Sequence, residues 1–400
     1  MKSDANPRKI AVPRTVWALG LVSMMMDISS EMIHALLPLF ITGVLGASVV
    51  MVGVIDGIAE ATASISKVFS GYISDRMGRR KPLILLGYGL GALSKPLFAL
   101  AAGPIPVLGA RFIDRIGKGL RGAPRDALVA DVTPPEILGR AYGLRQALDT
   151  VGAFAGPLLA IGLMLLLAGD MRTVFWLAAI PGGLAVLLVL FAVHDPDRRH
   201  DEAGATPPLH LKHAARLPVS FWAVTGIGVL FTMARFSEAF LVLKANQEGL
   251  SLAMAPLVLV AMNLVYSLGA YPAGAFADRF GPHGVLLASL LCLALADLLL
   301  ALGNGLAPSF AGIALWGLHM ALSQGLLAQL VARNSPPQLR GSAFGLFNLM
   351  TGITMLAASV LAGVLWEWSG SQATFLAGAI FAAAAACALI GLRGAIRLPA

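Results

Sequence analysis

Apolar stretches of about 20 residues each, about twelve in all, follow one another along nearly the whole chain with only short polar breaks. A helix of that length crosses the hydrocarbon of a bilayer. Of the 400 residues, 58% are hydrophobic and 12% charged, which leaves too little polar surface to cover a soluble core of this size. The stretches are rich in Leu, Ala, Gly and Val and far exceed the roughly ten-residue strands of an outer-membrane barrel. The expected class is therefore an all-α membrane protein, with no room for a large soluble domain. Cys292 and Cys387 each stand alone inside an apolar segment, so neither a disulfide framework nor a metal site is implied. Both are expected as buried filler. The basic start, with Lys2, Arg8, Lys9 and Arg14, runs into an apolar stretch without a small-residue cleavage pattern. It reads as a retained first helix.

The net charge of +8 is distributed by loop. Bases gather at the N-terminus, at Arg76 to Lys81, at Arg140, at Arg198 to Arg216, at Arg279, at Arg333 and Arg340, and at Arg393 and Arg397. The intervening loops carry few, with Arg172 and Lys244 the nearest. That alternation is the positive-inside pattern and places both termini and the long central loop in the cytoplasm. Translocation and anionic lipid account for the charge, so no nucleic-acid partner is expected.

The chain also repeats itself at an offset of about 202 residues, the kind of period that reveals a duplicated architecture. Gly71-Tyr-Ile-Ser-Asp75-Arg76-Met-Gly78 aligns with Gly274-Ala-Phe-Ala-Asp278-Arg279-Phe-Gly281. Leu128-Val-Ala, Pro134-Pro135, Gly139 and Gly143-Leu144 align with Leu330-Val-Ala, Pro336-Pro337, Gly341 and Gly345-Leu346. Six spans per copy is an even number, so the halves enter the membrane in the same sense, as parallel repeats. The expected organisation is a cytoplasmic N-terminus at 1–15, a six-helix half at 16–194, a cytoplasmic loop at 195–216, a second six-helix half at 217–392 and a cytoplasmic tail at 393–400. Duplicated bundles of this kind bind solute between their halves and expose the site alternately to either side.

Gly71-x-x-x-Asp75-Arg76-x-Gly78-Arg79-Arg80-Lys81 resembles the loop signature of the major facilitator superfamily between its second and third helices, and Gly274 to Gly281 resembles its weaker second copy. The resemblance covers essentially the entire chain and implies twelve transmembrane helices in two pseudo-symmetric halves. It makes Gly71, Asp75, Arg76, Arg79 and Asp278 parts of a gating latch. Gly71 would admit a close helix approach, and Asp75 could face a helix N-terminus, where the dipole favours an anion. By the same resemblance Arg79 pairs with an acid at the end of the fourth helix, for which Asp126 and Asp131 are candidates. Gly152-x-x-x-Gly156-Pro157 on the fifth span is similar to the family's antiporter signature, a small-residue face followed by a bend. It implies the efflux branch, which exports drugs or metabolites in exchange for protons.

A charge at mid-bilayer costs roughly 2.5–3.5 kcal/mol on insertion scales, so charges inside the spans need a partner, water or a function. On the first span Asp27, Glu31, His34 and Pro38 recur at helical spacing on one face. Asp56, Glu60 and Lys67 do so on the second, and Arg111, Arg115, Lys118 and Arg125 on the fourth, with Asp114 and Arg121 beside that stripe. These residues predict a polar cavity wall. A proton-coupled exporter needs a carboxylate whose protonation competes with substrate, and Asp27 and Glu31 fit that need, with Arg115 as a tuning partner. Glu60, Lys67 and Lys118 join them as coupling or substrate candidates. Arg115-Ile-Gly-Lys118-Gly119 resembles the family's fourth-helix motif, with Lys118 where the family often has glutamine. The alternative is that these groups form ion-pair networks joining the helices. Arg111, near the extracytoplasmic end, is expected to snorkel to water.

In the second half, Asn263 and Tyr266 on the eighth span, Gln324 on the tenth and Glu238 on the seventh are candidates for the substrate cavity. Arg235 and Glu238 are three apart and able to pair along a helix. His319 is expected as a helix-packing residue, and Asp297 stands alone in a leucine-rich segment that can face the bundle. HExxH and GxSxG are absent, so no enzyme is expected.

The function expected is secondary active transport of a small organic solute across a bacterial inner membrane by alternating access, as proton-coupled efflux. The proton gradient is the energy source, no cofactor or metal is required, and the chain works as a monomer. The bases of the fourth span leave open an organic-anion transporter, and a passive channel or scramblase is the alternative outside active transport.

Overall fold

The computed structural model describes residues 11–77, 79–134, 137–195, 217–280, 282–323, 326–336 and 339–391. Among these residues there is no strand. The helices are α1 (Arg14–His34), α2 (Val49–Met77), α3 (Lys81–Leu100), α4 (Pro104–Val132), α5 (Leu138–Leu166), α6 (Met171–Ala192), α7 (Val219–Ala234), α8 (Ala239–Gln247), α9 (Leu257–Phe280), α10 (Pro282–Leu302), α11 (Leu306–Ser323), α12 (Leu326–Arg333) and α13 (Arg340–Gly391). A short helix at Leu37–Leu39 and a π-helical turn at Phe40–Val44 prolong α1, so that Arg14–Val44 forms one apolar span.

Among the described residues, ten helical stretches are long and apolar enough to cross a membrane. α4 is not among them, because its 29 residues include five bases and three acids. α13 covers 52 residues, and at Gly370 (φ 79, ψ 174) the backbone enters a region that an L side chain disfavours. That glycine turns one apparent helix into two crossings. With α4 and the division of α13, the described residues are compatible with the twelve crossings the repeat implies. The duplication is visible in the helix starts: α4 begins at Pro104 and α11 at Leu306, α5 at Leu138 and α13 at Arg340, each pair 202 residues apart.

Burial is inverted relative to a soluble protein. Phe191 and Trp368 are 77% and 83% exposed, whereas Lys95 and Arg111 are 1% and 2% exposed. Apolar side chains face outward because lipid is their solvent, and the charged ones must find partners inside. Cys292 is partly buried and Cys387 is exposed, so the expectation of buried filler fails for Cys387: an outward-facing position in lipid needs only an apolar side chain.

The helices form two compact units. One comprises Met1–His34, Ile65–Ala101 and Ile105–Thr206. Within it α1 packs on α5 and α6, and α3 packs on α6, around a core that includes Leu19, Met26, Tyr88 and Val129. The other comprises Ala35–Ser64, Ala102–Pro104 and Pro207–Ala400. There α7 and α10 pack on α13, and α9 and α10 pack on α11, with Phe221, Phe231, Leu290 and Leu389 in the core. The N-terminal part of α2 belongs to this second unit, where a Cβ on Gly57 would come within 2.8 Å of the Leu356 Cα.

The seventh span is not one helix. At Arg235 (φ −107, ψ 73) the chain leaves α7, and it resumes at α8 after Glu238. Arg235 and Glu238 therefore flank a break, whereas their i,i+3 spacing predicts a shared helical face. Ser237 in the break donates to Asp56 Oδ2 at 2.7 Å and accepts from the Ala239 N–H at 3.1 Å.

Candidate functional site

Asp27 and Glu31 are one helical turn apart on α1, and Gly152 and Gly156 are one turn apart on α5. The two pairs meet. A Cβ on Gly152 would lie 2.7 Å from the Met24 carbonyl oxygen and 3.0 Å from the Asp27 Cβ. A Cβ on Gly156 would lie 2.7 Å from the Glu31 Cβ and 2.9 Å from the Ile28 carbonyl oxygen. The missing side chains seat the α5 backbone directly against the turn of α1 that bears both carboxylates. Pro157 follows inside α5 and lacks the N–H that would bond one turn back, which loosens the helix next to the contact. Glu31 also approaches His34 Nδ1 at 3.8 Å.

α4 supplies the opposing charge. Arg111, Asp114, Arg115 and Arg121 are all buried, whereas Lys118 is exposed. Asp114 Oδ1 accepts from Lys95 Nζ of α3 at 2.8 Å, and Asp114 Oδ2 lies 3.4 Å from Arg115 Nε. Lys95 Nζ also donates to Ser30 Oγ of α1 at 3.0 Å. Lys95 thus ties three helices. The charges of Arg121 and Lys118 act on Asp27, and those of Lys118 and Arg115 on Glu31. Arg111 is buried near Asp114 and does not snorkel, because an anion within the bundle holds it there.

A second group continues the network toward the other end of α4. The Arg121 guanidinium stacks 4.8 Å above the Tyr88 ring, a cation–π contact. Tyr88 and Ser23 share a hydrogen bond of 2.9 Å, and Ser23 accepts from Arg125 Nη1 at 2.8 Å. Arg125 pairs with Asp126 at 3.1 Å, Arg145 Nε reaches the same carboxylate at 3.7 Å, and Arg145 pairs with Asp149 one turn along α5. Asp149 in turn acts electrostatically on Asp27. Charges from α1, α3, α4 and α5 form one connected set.

Asp56 and Glu60 belong to the second unit, with Asp56 held by Ser237, and Lys67 is exposed on α2. Asn263 and Tyr266 are half-buried on α9, Glu238 sits in the α7–α8 break, and Gln324 lies outside the described residues. Of the latch residues, the side chains of Gly71, Asp75, Arg76 and Asp278 lie outside those described. Arg79 is exposed, and the expected ion pair belongs to its neighbour: Arg80 Nε meets Asp131 Oδ2 at 3.4 Å and Arg80 Nη1 donates to Ser74 at 2.6 Å. Asp126 is occupied by Arg125 and Arg145. Arg80 sits where α3 begins and is turned inward, 7% exposed, which is why it takes the acid.

Lys95, Tyr88, Arg145 and Asp149 form the network without having been singled out in the sequence as site residues. Three of them had a visible signal: Lys95 is a lone base in an apolar helix just before Pro96, and Arg145 and Asp149 are an i,i+4 ion pair.

Comparison with known proteins decides the family. The profile of the Major Facilitator Superfamily matches residues 19–245 and 230–396. The chain belongs to the major facilitator superfamily. It is a multi-pass membrane transporter and not an enzyme. An uncharacterized transporter of this superfamily from Methanocaldococcus jannaschii is 30% identical over 387 residues, covering 95% of each chain. The class C tetracycline resistance protein of Escherichia coli is 31% identical over 326 residues, covering 75% of this chain and 77% of its own. In fold, the solved structure of the nucleoside transporter NupG superposes with a TM-score of 0.81 at 15% identity, covering 94% of this chain and 99% of that one.

Proposed function

We propose that this major facilitator protein exports a small organic solute in exchange for protons, with Asp27 and Glu31 as the carboxylates at which proton and solute compete. The observation that carries this reading is the seating of Gly152 and Gly156 on the α1 turn bearing those two acids. A helix contact built on the carboxylates' own backbone is a contact that their charge can bias. Arg115, Lys118 and Arg121 supply the cations against which the acids titrate. The likeness to a tetracycline resistance protein supports efflux. The reading includes a bacterial inner membrane, cytoplasmic termini, alternating access and a monomer.

The number of buried bases on α4 favours a second reading, in which Arg115 and its neighbours bind an organic anion. One experiment separates them. Purified wild type, Asp27→Asn and Arg115→Ala are unfolded thermally with tetracycline, ethidium and a panel of organic anions. A native-state ligand at 100 times its dissociation constant adds about 2.7 kcal/mol. Stabilisation by tetracycline or ethidium that disappears in Asp27→Asn supports the exporter. Stabilisation by anions alone, removed by Arg115→Ala, replaces it with the anion transporter.

A further inference from the structure

The second sequence half holds an acid that the network above does not use. Asp297 lies in the C-terminal half of α10, in the run Leu293-Ala-Leu-Ala-Asp297-Leu-Leu-Leu. It is 0% exposed, and neither carboxyl oxygen has a hydrogen-bond partner among the described residues. α13 closes over it at Gly378, where a Cβ would lie 2.5 Å from Asp297 Oδ2 and 3.1 Å from the Phe236 ring. Phe236 packs in turn on Trp316 of α11 at 5.5 Å and on Phe375 of α13 at 5.6 Å between ring centroids. The carboxyl is roofed by backbone and walled by aromatic rings.

The charged surroundings are sparse. α7 has no charged residue, and α13 has none from Trp368 to Gly391. The α7–α8 break brings Arg235 and Glu238, α8 itself has Lys244, which is engaged by Glu248, and α11 brings His319, whose Nδ1 is engaged by Ser289. Among the described residues, no charged group offsets the burial of Asp297. The contrast is Asp114 in the first half, equally buried but held by Lys95 and Arg115. An ionised carboxylate at Asp297 would be an uncompensated charge inside the bundle, whereas a carboxylic acid would not. Leucine fills the same space without that penalty, so helix packing alone does not call for an acid here.

We propose that Asp297 is a proton-binding site of the second sequence half, occupied while α13 covers it at Gly378 and emptied when that contact parts. Ionisation requires water at the carboxylate, and water reaches it only if α10 and α13 separate. Proton occupancy and closure of the seam are therefore linked, in the sense that a ligand favours the state that binds it. The site stands whether or not Asp27 carries the transported proton.

Infrared difference spectroscopy of the purified full chain near neutral pH tests this. Wild type should show the C=O stretch of a buried carboxylic acid, lost in Asp297→Asn and retained in Asp27→Asn. Gly378→Ala, which drives a methyl group into the carboxyl, should weaken the band. A band absent from wild type, or unchanged in Asp297→Asn, overturns the proposal. A band unchanged in Gly378→Ala removes the link to the seam. Should Asp297→Asn fail to fold, Asp297→Glu keeps the acid and must shift the band; an unshifted band overturns the assignment equally.

Discussion

The ammonium of Lys95 and the carboxylate of Asp114 join α3 to α4 at 2.8 Å, with both side chains almost wholly buried. Removing one partner of such a pair leaves the other charge stranded, which costs about 3–5 kcal/mol. Lys95→Met alone and Asp114→Leu alone should each lower thermal stability strongly in detergent. The double variant should lose markedly less than the sum of the two. Additive losses would show that the pair is not the unit that holds these helices.

Glycines of α5 offer an internally controlled test of the α1 contact. Gly152→Ala and Gly156→Ala insert a methyl group against α1, and overpacking of this kind costs about 1–3 kcal/mol. Gly162→Ala, on the same helix with nothing within 4 Å of the new atom, should be silent. Thermal unfolding and solute flux in vesicles, measured for all three, check the contrast. Equal effects at Gly162 would mean that helix flexibility, not the seam, is what these residues provide.

Outside the membrane, Asp170 caps α6. It accepts from the Arg172 N–H at 3.0 Å, and from the Thr173 hydroxyl and N–H. The Thr173 hydroxyl bond, followed by the backbone bonds, holds its carboxyl below the usual carboxylate range. A depressed acid contributes stability that is fully present above its unfolded value, about 3.9, and lost as pH falls through the folded value. Asp170→Ala should therefore cost about 0.5–2 kcal/mol at neutral pH and almost nothing in strong acid. Unfolding curves for both proteins across that range should converge on the acid side. Convergence on the alkaline side would refute the sign.

Much of the fold could be read from the chain because lipid imposes a length on every span, and the repeat fixes their number and order. Asp27 and Glu31 stood out for a related reason: an acid in an apolar helix has few innocuous explanations. What could not be read was which helix each charge faces. Arg79 and Arg80 are adjacent, and only the start of α3 decides that Arg80 turns inward to Asp131. Arg111 near a helix end looks like a snorkelling side chain until Asp114 is placed beside it. The interruption at Arg235 to Glu238 has no proline or glycine to announce it, so an i,i+3 pair was expected where the helix stops.

α4 lies among helices long and apolar enough to cross a membrane, yet its own five bases and three acids set it apart from them. At roughly 2.5–3.5 kcal/mol for each charge placed centrally, such a segment does not partition into lipid by itself. It must be delivered in company, with Lys95 of α3 and the acids of α1 already at hand. In a glycosylation-based insertion assay α4 alone should stay outside the bilayer, and a segment running from α1 through α4 should carry it across, less so with Lys95→Ala. The ion pairs that join these helices in the finished protein are then also the terms on which the ribosome-bound chain is admitted to the membrane.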